Sequence, residues 1–306
     1  MKHQIRKTLL ATLLLPLILT LSCTSISLDS SSLSSLVTHA GPLLASAAKV
    51  ANAANKANEQ FTPRQEYYIG RAVAADITSM YKVEPIGPAT LYLNALVQVL
   101  AAASTMPVTY GGYHVLILDT NQINALSAPG GFIFVTKGLL ECTRDETSLA
   151  AVLAHEIGHI ENRHGLDAIK QERRNQVFVV LGKEVVKNLG NKQLEQLTDT
   201  FGKSITDVVT TMVNDGYSRE QEKQADLSAV SILRKAGYNP RGLIEMLKIM
   251  EVRLKPDSGG FAKTHPSPAD RIETLAPVIG TKATYEEPAA WTARFHKYMD
   301  SLLKTS

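Results

Sequence analysis

The 306-residue sequence has few cysteines, few aromatic residues and almost no surplus charge. Its two cysteines, Cys23 and Cys142, are too few for a disulfide framework or a cysteine-based zinc finger. Lysine and arginine number 32 against 29 acidic residues, and the first 22 residues hold three of those bases and no acid. The rest of the chain is therefore balanced in charge, which argues against a broad cationic surface for nucleic acid.

The first 22 residues have the composition of an export signal. Three basic residues open the segment, and the apolar run from Leu9 to Leu21 is too short to span a bilayer comfortably. No later apolar run is long enough to do so. We therefore expect residues 1–22 to be a signal peptide that directs the chain out of the cytoplasm.

Cys23 follows this segment directly and allows two interpretations. Leu21-Ser22-Cys23 resembles a bacterial lipobox, in which the cysteine is acylated after cleavage, although Thr20 stands where leucine is usual. Thr24, in place of aspartate, then matches the outer-membrane sorting pattern of Gram-negative lipoproteins. The alternative is an ordinary signal cleaved near Ala51-Asn52-Ala53. The first interpretation predicts a periplasmic protein that is attached to the membrane through its lipid anchor alone.

Residues 23–60 are rich in serine, alanine and asparagine and contain few large apolar residues. Such a segment buries little surface, so we predict a flexible tether there. The folded domain should then cover residues 61–306, beginning where Thr62 can cap a helix and Pro63 can occupy its first position.

The predicted domain is mainly helical. Two apolar runs, Tyr113–Leu118 and Phe132–Thr136, are expected to be strands that pair antiparallel. Periodicity and capping residues predict helices elsewhere; their approximate ranges are 62–81, 89–105, 145–164, 166–188, 192–213, 218–237 and 239–250. The sequence therefore predicts an α+β domain with a small antiparallel sheet.

One short motif inside the helix predicted after Asp145 indicates metal chemistry. His155 and His159 are four residues apart, so they lie on one face of a helix, where both rings can bind one zinc ion. Glu156 projects beside that ion and can take a proton from water. The alternative is a polar helix face with two unrelated histidines. The surrounding alanines and glycine argue against it, because they indicate a closely packed helix in which two histidines without a partner would be costly to bury.

A catalytic zinc ion keeps three protein ligands and one open position. Glu222 and Asp226 are four residues apart on the helix that begins at the Ser218 capping box, so they share a face. We interpret Glu222 as the third ligand and Asp226 as the group that holds a zinc-binding histidine by its other ring nitrogen. A solvated charged helix face is the alternative.

These motifs resemble the gluzincin zinc metallopeptidase family that includes HtpX, BepA and the CAAX prenyl protease. The resemblance covers His155-Glu156-x-x-His159, then Glu222-x-x-Ala225-Asp226, and extends over about residues 61–277. HtpX and the prenyl protease have membrane-spanning helices and BepA has a helical-repeat domain, which this sequence lacks. It is most similar in type to the small exported, lipid-anchored members.

The resemblance implies a zincin-like domain with one Zn²⁺ per chain and further roles for four residues. Asn124 and Ala125 would contact the substrate backbone, and the substrate would lie extended along Phe132–Thr136. His265 and Arg271 would stabilise the tetrahedral oxyanion. His265 has a second role in some exported relatives, where a histidine of this segment caps the zinc and keeps the enzyme latent.

The other histidines and the second cysteine are assigned to structure. His164 should favour the dipole at the end of the catalytic helix and face away from the zinc ligands. His114 falls in a predicted strand and His296 in a C-terminal amphipathic segment. Cys142 is expected to be a buried, inert thiol.

The sequence thus predicts a zinc metalloendopeptidase that hydrolyses unfolded or misassembled envelope proteins in quality control. Its expected partners are those substrates and the outer-membrane assembly machinery, with no nucleic acid. One alternative is a latent protease that acts mainly as a chaperone-like binding module in the periplasm. Another is a structural lipoprotein with a closed, four-ligand zinc site.

Overall fold

The computed structural model describes residues 61–167, 209–254, 260–280 and 286–303. The predicted signal peptide, Cys23, the tether and most of the two helices expected over 166–188 and 192–213 lie outside these residues. No helix in the described part of the chain is both long enough and apolar enough to cross a bilayer.

Two helices precede the sheet. Helix α1, Pro63–Met80, begins at the predicted Thr62 cap, which the structure extends to a capping box: the Thr62 hydroxyl accepts from the Gln65 N–H, and the Gln65 side chain accepts from the Thr62 N–H. Helix α2, Pro88–Ala102, again has proline at its start and buries most of one face.

The sheet is mixed, and this corrects the predicted strand pairing. Strands β1 (His114–Leu118), β2 (Ala125–Ala128) and β3 (Phe132–Thr136) lie in the order β1-β3-β2. β1 pairs with β3 in parallel, and β2 pairs with β3 antiparallel. The sequence prediction missed β2, which lies between the other two along the chain and reverses the direction once more. The α+β class itself is confirmed.

Helix α3, Lys137–Leu140, leads from the sheet into helix α4, Glu146–Glu161, which carries the two-histidine motif. The Asp145 carboxylate accepts from the Ser148 N–H and caps α4 as predicted. Every α4 residue from Glu146 to Ile160 is buried. The helix ends at Glu161, which is earlier than the predicted end at His164.

Helix α5, Arg219–Ala236, supplies the second motif and packs directly on α4. It begins at the Ser218 capping box and ends at Gly237, whose φ of 86° is left-handed. A Cβ added to Gly158 of α4 would lie 2.7 Å from the Ala225 carbonyl oxygen. Glycine at that position therefore allows the two helix backbones to approach closely.

The remaining described elements complete the domain. A single π-helical turn precedes α5, and four helices follow it. Their ranges are Thr211–Asp215 for the turn, Arg241–Arg253 for α6, Phe261–Thr264 for α7, Pro268–Ile279 for α8 and Ala289–Leu303 for α9.

Two apolar clusters hold these elements together. The larger one lies around α4 and joins α2, α5, α6, α9 and one face of the sheet. The smaller one lies between α1 and the opposite face of the sheet, where Phe134 and Leu126 point. The helix with the two histidines is therefore enclosed on most sides, which fixes the position of its side chains.

The C-terminal segment binds the first turn of α4. Glu146 is fully buried and accepts hydrogen bonds from the hydroxyls of Tyr92 and Tyr238 and from the Arg294 guanidinium. The Glu287 carboxylate accepts from the first two peptide N–H groups of α4. Burial opposes ionisation of Glu146, but its hydrogen bonds with Arg294, Tyr92 and Tyr238 more than offset burial and lower its pKa.

Candidate metal centre

His155 and His159 point the same ring nitrogen toward one point. Their Nε2 atoms are 3.1 Å apart, and both side chains are almost completely buried. Burial lowers the pKa of His159, which favours the neutral imidazole that binds metal ions. The one-turn spacing in α4 thus brings the two predicted ligands together.

Glu222 reaches the same point from the first turn of α5. Its Oε1 lies 3.4 Å from His159 Nε2, and its Oε2 lies 3.6 Å from His155 Nε2. Burial opposes ionisation of this carboxylate, but its interactions with neighbouring histidines, His265 first, more than offset burial and lower its pKa. The group is therefore an anion at neutral pH.

His265 is the fourth donor at this point. It follows the short helix α7, and its Nδ1 lies 2.8 Å from Glu222 Oε2. Its ring stacks on Phe261 with a centroid distance of 4.2 Å. One donor atom from each of His155, His159, Glu222 and His265 lies within 4.8 Å of the other three.

The donor set fits zinc. Three imidazoles and one carboxylate are the ligand types that Zn²⁺ takes in proteins, and four is its usual coordination number. Glu222 Oε1 is buried without a hydrogen-bond partner among the described residues, although a buried carboxylate oxygen normally has one. A cation at the meeting point of the four donors would satisfy it.

Asp226 lies where the sequence predicts it, one turn beyond Glu222 and behind His155. Its Oδ1 is 3.0 Å from His155 Nδ1. Burial opposes ionisation of Asp226, but the Arg271 charge more than offsets burial and lowers the pKa. Arg271 Nη2 lies 3.2 Å from the same Nδ1, but the anionic Asp226 oxygen is closer and can only accept, so His155 keeps its proton on Nδ1 and presents a free lone pair on Nε2.

Arg271 binds Asp226 in this structure. Its Nη2 and Nε lie 2.6 and 3.0 Å from the two carboxylate oxygens, and the side chain is 3% exposed. The pair lies on the far side of His155 from the ligand atoms. The oxyanion role implied by the family resemblance stays a prediction, and only the unpartnered Nη1 is available for it among the described contacts.

His164 does not face away from the site, contrary to the sequence prediction. The side chain is 1% exposed, and its Nδ1 lies 2.9 Å from Nδ1 of His159. The prediction assumed that α4 continues to His164. Instead α4 has ended, and Arg163 adopts a left-handed φ of 58°, which turns His164 back against His159.

A narrow cleft of about 10 Å³ separates the ligand cluster from strand β2. Glu156 lies in its wall, beside the ligands as predicted. Tyr217, which sequence analysis missed, stacks on His159 with a centroid distance of 4.4 Å, and its hydroxyl is buried without a partner among the described residues. It lies between two regular elements, where no periodicity marks it.

The strand beside the cleft is β2, and this corrects the predicted substrate strand. β3 pairs with a strand on each side, so its backbone groups have no free edge for a substrate. β2 is at the edge of the sheet, and three of its residues line the cleft: Ala125, Leu126 and Ser127. The edge-strand interpretation is therefore transferred from Phe132–Thr136 to Ala125–Ala128.

Asn124 directly precedes this edge strand. Its backbone N–H and carbonyl bind the Thr136 hydroxyl, which fixes the start of β2. Its side-chain Nδ2 is buried and without a partner in the described part of the chain. Asn124 and Ala125 are thus positioned beside the cleft, and their substrate contacts remain predictions.

The other residues assigned to structure lie outside the ligand cluster. His114 Nε2 contacts the Gly111 carbonyl, and His296 Nδ1 contacts Asp300 on the same helix. Cys142 is a buried free thiol whose pKa is raised by burial.

Comparisons with known proteins agree with this site. The model of Peptidase family M48 matches residues 89–278. The beta-barrel assembly-enhancing protease of Escherichia coli K12 is 24% identical over 188 residues, which are 60% of this chain and 37% of that protein. The mitochondrial metalloendopeptidase OMA1 of Schizosaccharomyces pombe is 30% identical over 191 residues, covering 61% and 52%.

A shorter relative, the metalloprotease YcaL of Escherichia coli K12, is 23% identical over 169 residues, covering 55% of this chain and 61% of the relative. The alignments thus span less than two thirds of each of these relatives. The family match, in contrast, spans more than half of this chain and includes both motifs. The chain therefore belongs to peptidase family M48.

Proposed function

We propose that this protein is a zinc-dependent metalloendopeptidase. The observation that carries the proposal is the convergence of His155, His159 and Glu222 on one point beside Glu156. The membership in peptidase family M48 supports the same reaction class.

In the proposed reaction His155, His159 and Glu222 would hold the zinc ion. The ion, when bound, supplies Lewis acidity that polarises water and the scissile carbonyl. Glu156 accepts a proton from the attacking water and delivers it to the departing amine. Asp226 orients His155 by accepting from its Nδ1.

The substrate would bind in an extended conformation along β2. Ala125–Ala128 forms the sheet edge that faces the cleft, so a peptide there can add a strand through backbone hydrogen bonds. Asn124, with its unpartnered buried amide, would contact the substrate backbone at one end of that strand.

The biological setting is part of the proposal. We infer unfolded or misassembled envelope proteins as substrates, a periplasmic location and attachment through Cys23. The predicted export signal of residues 1–22 supports the location, and similarity to the beta-barrel assembly-enhancing protease supports a connection with outer-membrane assembly.

Cleavage of unfolded casein tests the proposed activity. The zinc-loaded wild type should cut casein, and Glu156→Gln should bind zinc with the same stoichiometry but lose at least about 100-fold in rate, since a catalytic base is removed. His296→Gln, which changes a histidine outside the site, is the control and should cut normally. Zinc binding without any cleavage by the wild type would contradict the proposed activity.

The second candidate is a latent protease that acts mainly as a chaperone-like binding module. The position of His265 favours it. With its Nδ1 near Glu222, His265 can fill the coordination position that a substrate needs. We expect His265→Ala to cleave casein several-fold faster than the wild type if His265 caps the zinc. A slower His265→Ala would instead support the oxyanion role.

A further inference from the structure

The side of His159 that faces away from the ligand cluster is occupied by a line of polar groups. His159 Nδ1 lies 2.9 Å from His164 Nδ1, and His164 Nε2 lies 3.2 Å from Gln224 Oε1. Gln224 Nε2 in turn lies 3.5 Å from Glu220 Oε1. The line runs from an exposed carboxylate on α5 to a ring of the metal centre.

The chemistry of these groups sets the direction of each hydrogen bond. The Glu220 carboxylate only accepts, so the Gln224 amide nitrogen faces it and the amide oxygen faces His164. That oxygen only accepts, so His164 carries its proton on Nε2 and has a lone pair on Nδ1. His159 then donates from Nδ1 to His164.

We infer that His164 is a positioning residue that fixes the proton of His159 on Nδ1, so that the Nε2 lone pair faces the metal. The inference rests on the metal site of the proposed function and extends it to residues with no ligand role. His164 is 1% exposed, and Tyr217 packs beside both rings, with centroids 4.4 and 5.7 Å from His159 and His164.

The two zinc-binding histidines are thus held by different means. His155 donates to Asp226, a carboxylate that also binds Arg271. His159 donates to a neutral imidazole whose own proton is directed by an amide. The His164 ring can either accept or donate at Nδ1, and Gln224 holds it in the tautomer that accepts. A substitution of the exposed Gln224 should therefore change the zinc affinity.

Zinc affinity of variants, measured by competition with a chelating dye, tests the inference. His164→Leu removes the acceptor and should weaken zinc binding about 10- to 100-fold. His164→Asn can place an amide oxygen near the Nδ1 position and should recover most of the affinity. The Co²⁺-substituted proteins give a second measurement, because their visible spectra report the ligand arrangement: His164→Leu should differ from wild type and His164→Asn should not.

Gln224→Lys tests the direction of the hydrogen bonds without altering a buried residue. A lysine donates to His164 Nε2 and would leave Nδ1 protonated against His159, so zinc affinity should fall about 10-fold. Gln224→Glu retains the acceptor and should bind zinc as the wild type does. Ser231→Lys adds the same charge two turns further along the exposed face of α5 and is the matched control.

Wild-type affinity and spectra in folded His164→Leu, or in Gln224→Lys if the first variant does not fold, would overturn the inference. Equal losses in His164→Leu and His164→Asn would also overturn it, because packing alone would then explain the effect. A wild-type chain that binds no zinc would contradict the proposed function as well, whereas these results contradict the inference alone.

Discussion

At the scale of single residues, Asp226 makes two interactions. It accepts a hydrogen bond from His155 Nδ1 and neutralises the charge of Arg271. Both members of the pair are almost completely buried, at 2% and 3% exposure. A buried ion pair contributes little compared with a well-packed apolar pair, but removing one member leaves an uncompensated charge. The stability of the site should therefore depend on keeping both or neither.

Asp226→Asn tests this dependence. We expect the variant without metal to lose about 3–5 kcal/mol in free energy of unfolding, measured with urea, because the Arg271 charge is left unpaired. The double variant Asp226→Leu/Arg271→Met should recover much of that loss. If the double variant is as unstable as the single one, packing and not charge accounts for the effect.

Helical spacing predicts which side chains of the candidate site lie together, whereas their roles stay predictions. His155, His159, Glu222 and Asp226 meet as expected because spacings of one turn hold inside α4 and α5. His164 was misassigned because the chain leaves helical geometry at Arg163, and a single left-handed residue leaves no periodic signal. Tyr217 was missed because it lies outside any regular element.

The closeness of α4 and α5 governs the site at the scale of elements. The two histidines lie on α4 and the glutamate lies on α5, so the distance between the ligand atoms depends on how closely the two helix backbones approach. Gly158 allows the backbones to touch next to Ala225, directly between His155 and His159 along α4. The packing of α4 on α5 therefore also determines the geometry of the metal ligands.

Gly158→Ala should disturb both. The added Cβ would meet backbone atoms of Ala225 at 2.7 and 3.0 Å, so α5 must shift. We expect a loss of about 1–3 kcal/mol in free energy of unfolding and weaker zinc binding. Urea unfolding measures the change in stability and dye competition measures the change in zinc affinity. Ser231→Ala, on the exposed face of α5, is the control. Unchanged zinc affinity would show that the ligands do not depend on this contact.

The sequence predicts the helices better than the sheet. Helices begin in the structure at the three caps that the sequence indicates, which are Thr62, Asp145 and the Ser218 capping box. Strand β2 is only four residues, Ala-Leu-Ser-Ala, without the β-branched or aromatic residues that mark strands. Its strand conformation comes from pairing with β3 and from burial, which are tertiary effects.

At the scale of the whole molecule, the C-terminal segment packs against elements that lie far away along the chain. Helix α9 buries Phe295, Met299 and Leu302, and its Arg294 binds Glu146 at the start of α4. Sequence analysis saw only an amphipathic segment there, because the pairing of residues so far apart along the chain is invisible to local patterns.

Acid should release this segment. The pKa of Glu146 is lower in the folded state than its ordinary value of 4.5, so the ionised form stabilises folding. That contribution is fully present above the ordinary value and is lost as pH falls through the folded value. The stability difference between the wild type and Glu146→Gln should therefore shrink between about pH 6 and pH 3, as measured by urea unfolding. A constant difference would exclude this carboxylate as the titrating group.

The ion pair between Glu146 and Arg294 has a consequence for how the protein is made. The helix that begins at Glu146 receives its ligand partners from Glu222 and His265 and its anchor from Arg294, each emerging later during synthesis. A chain whose last segments have not yet been synthesised lacks these partners and so lacks the complete ligand cluster. Proteolytic removal of the last helix would likewise withdraw the Arg294 contact from α4 without altering any residue of the ligand cluster.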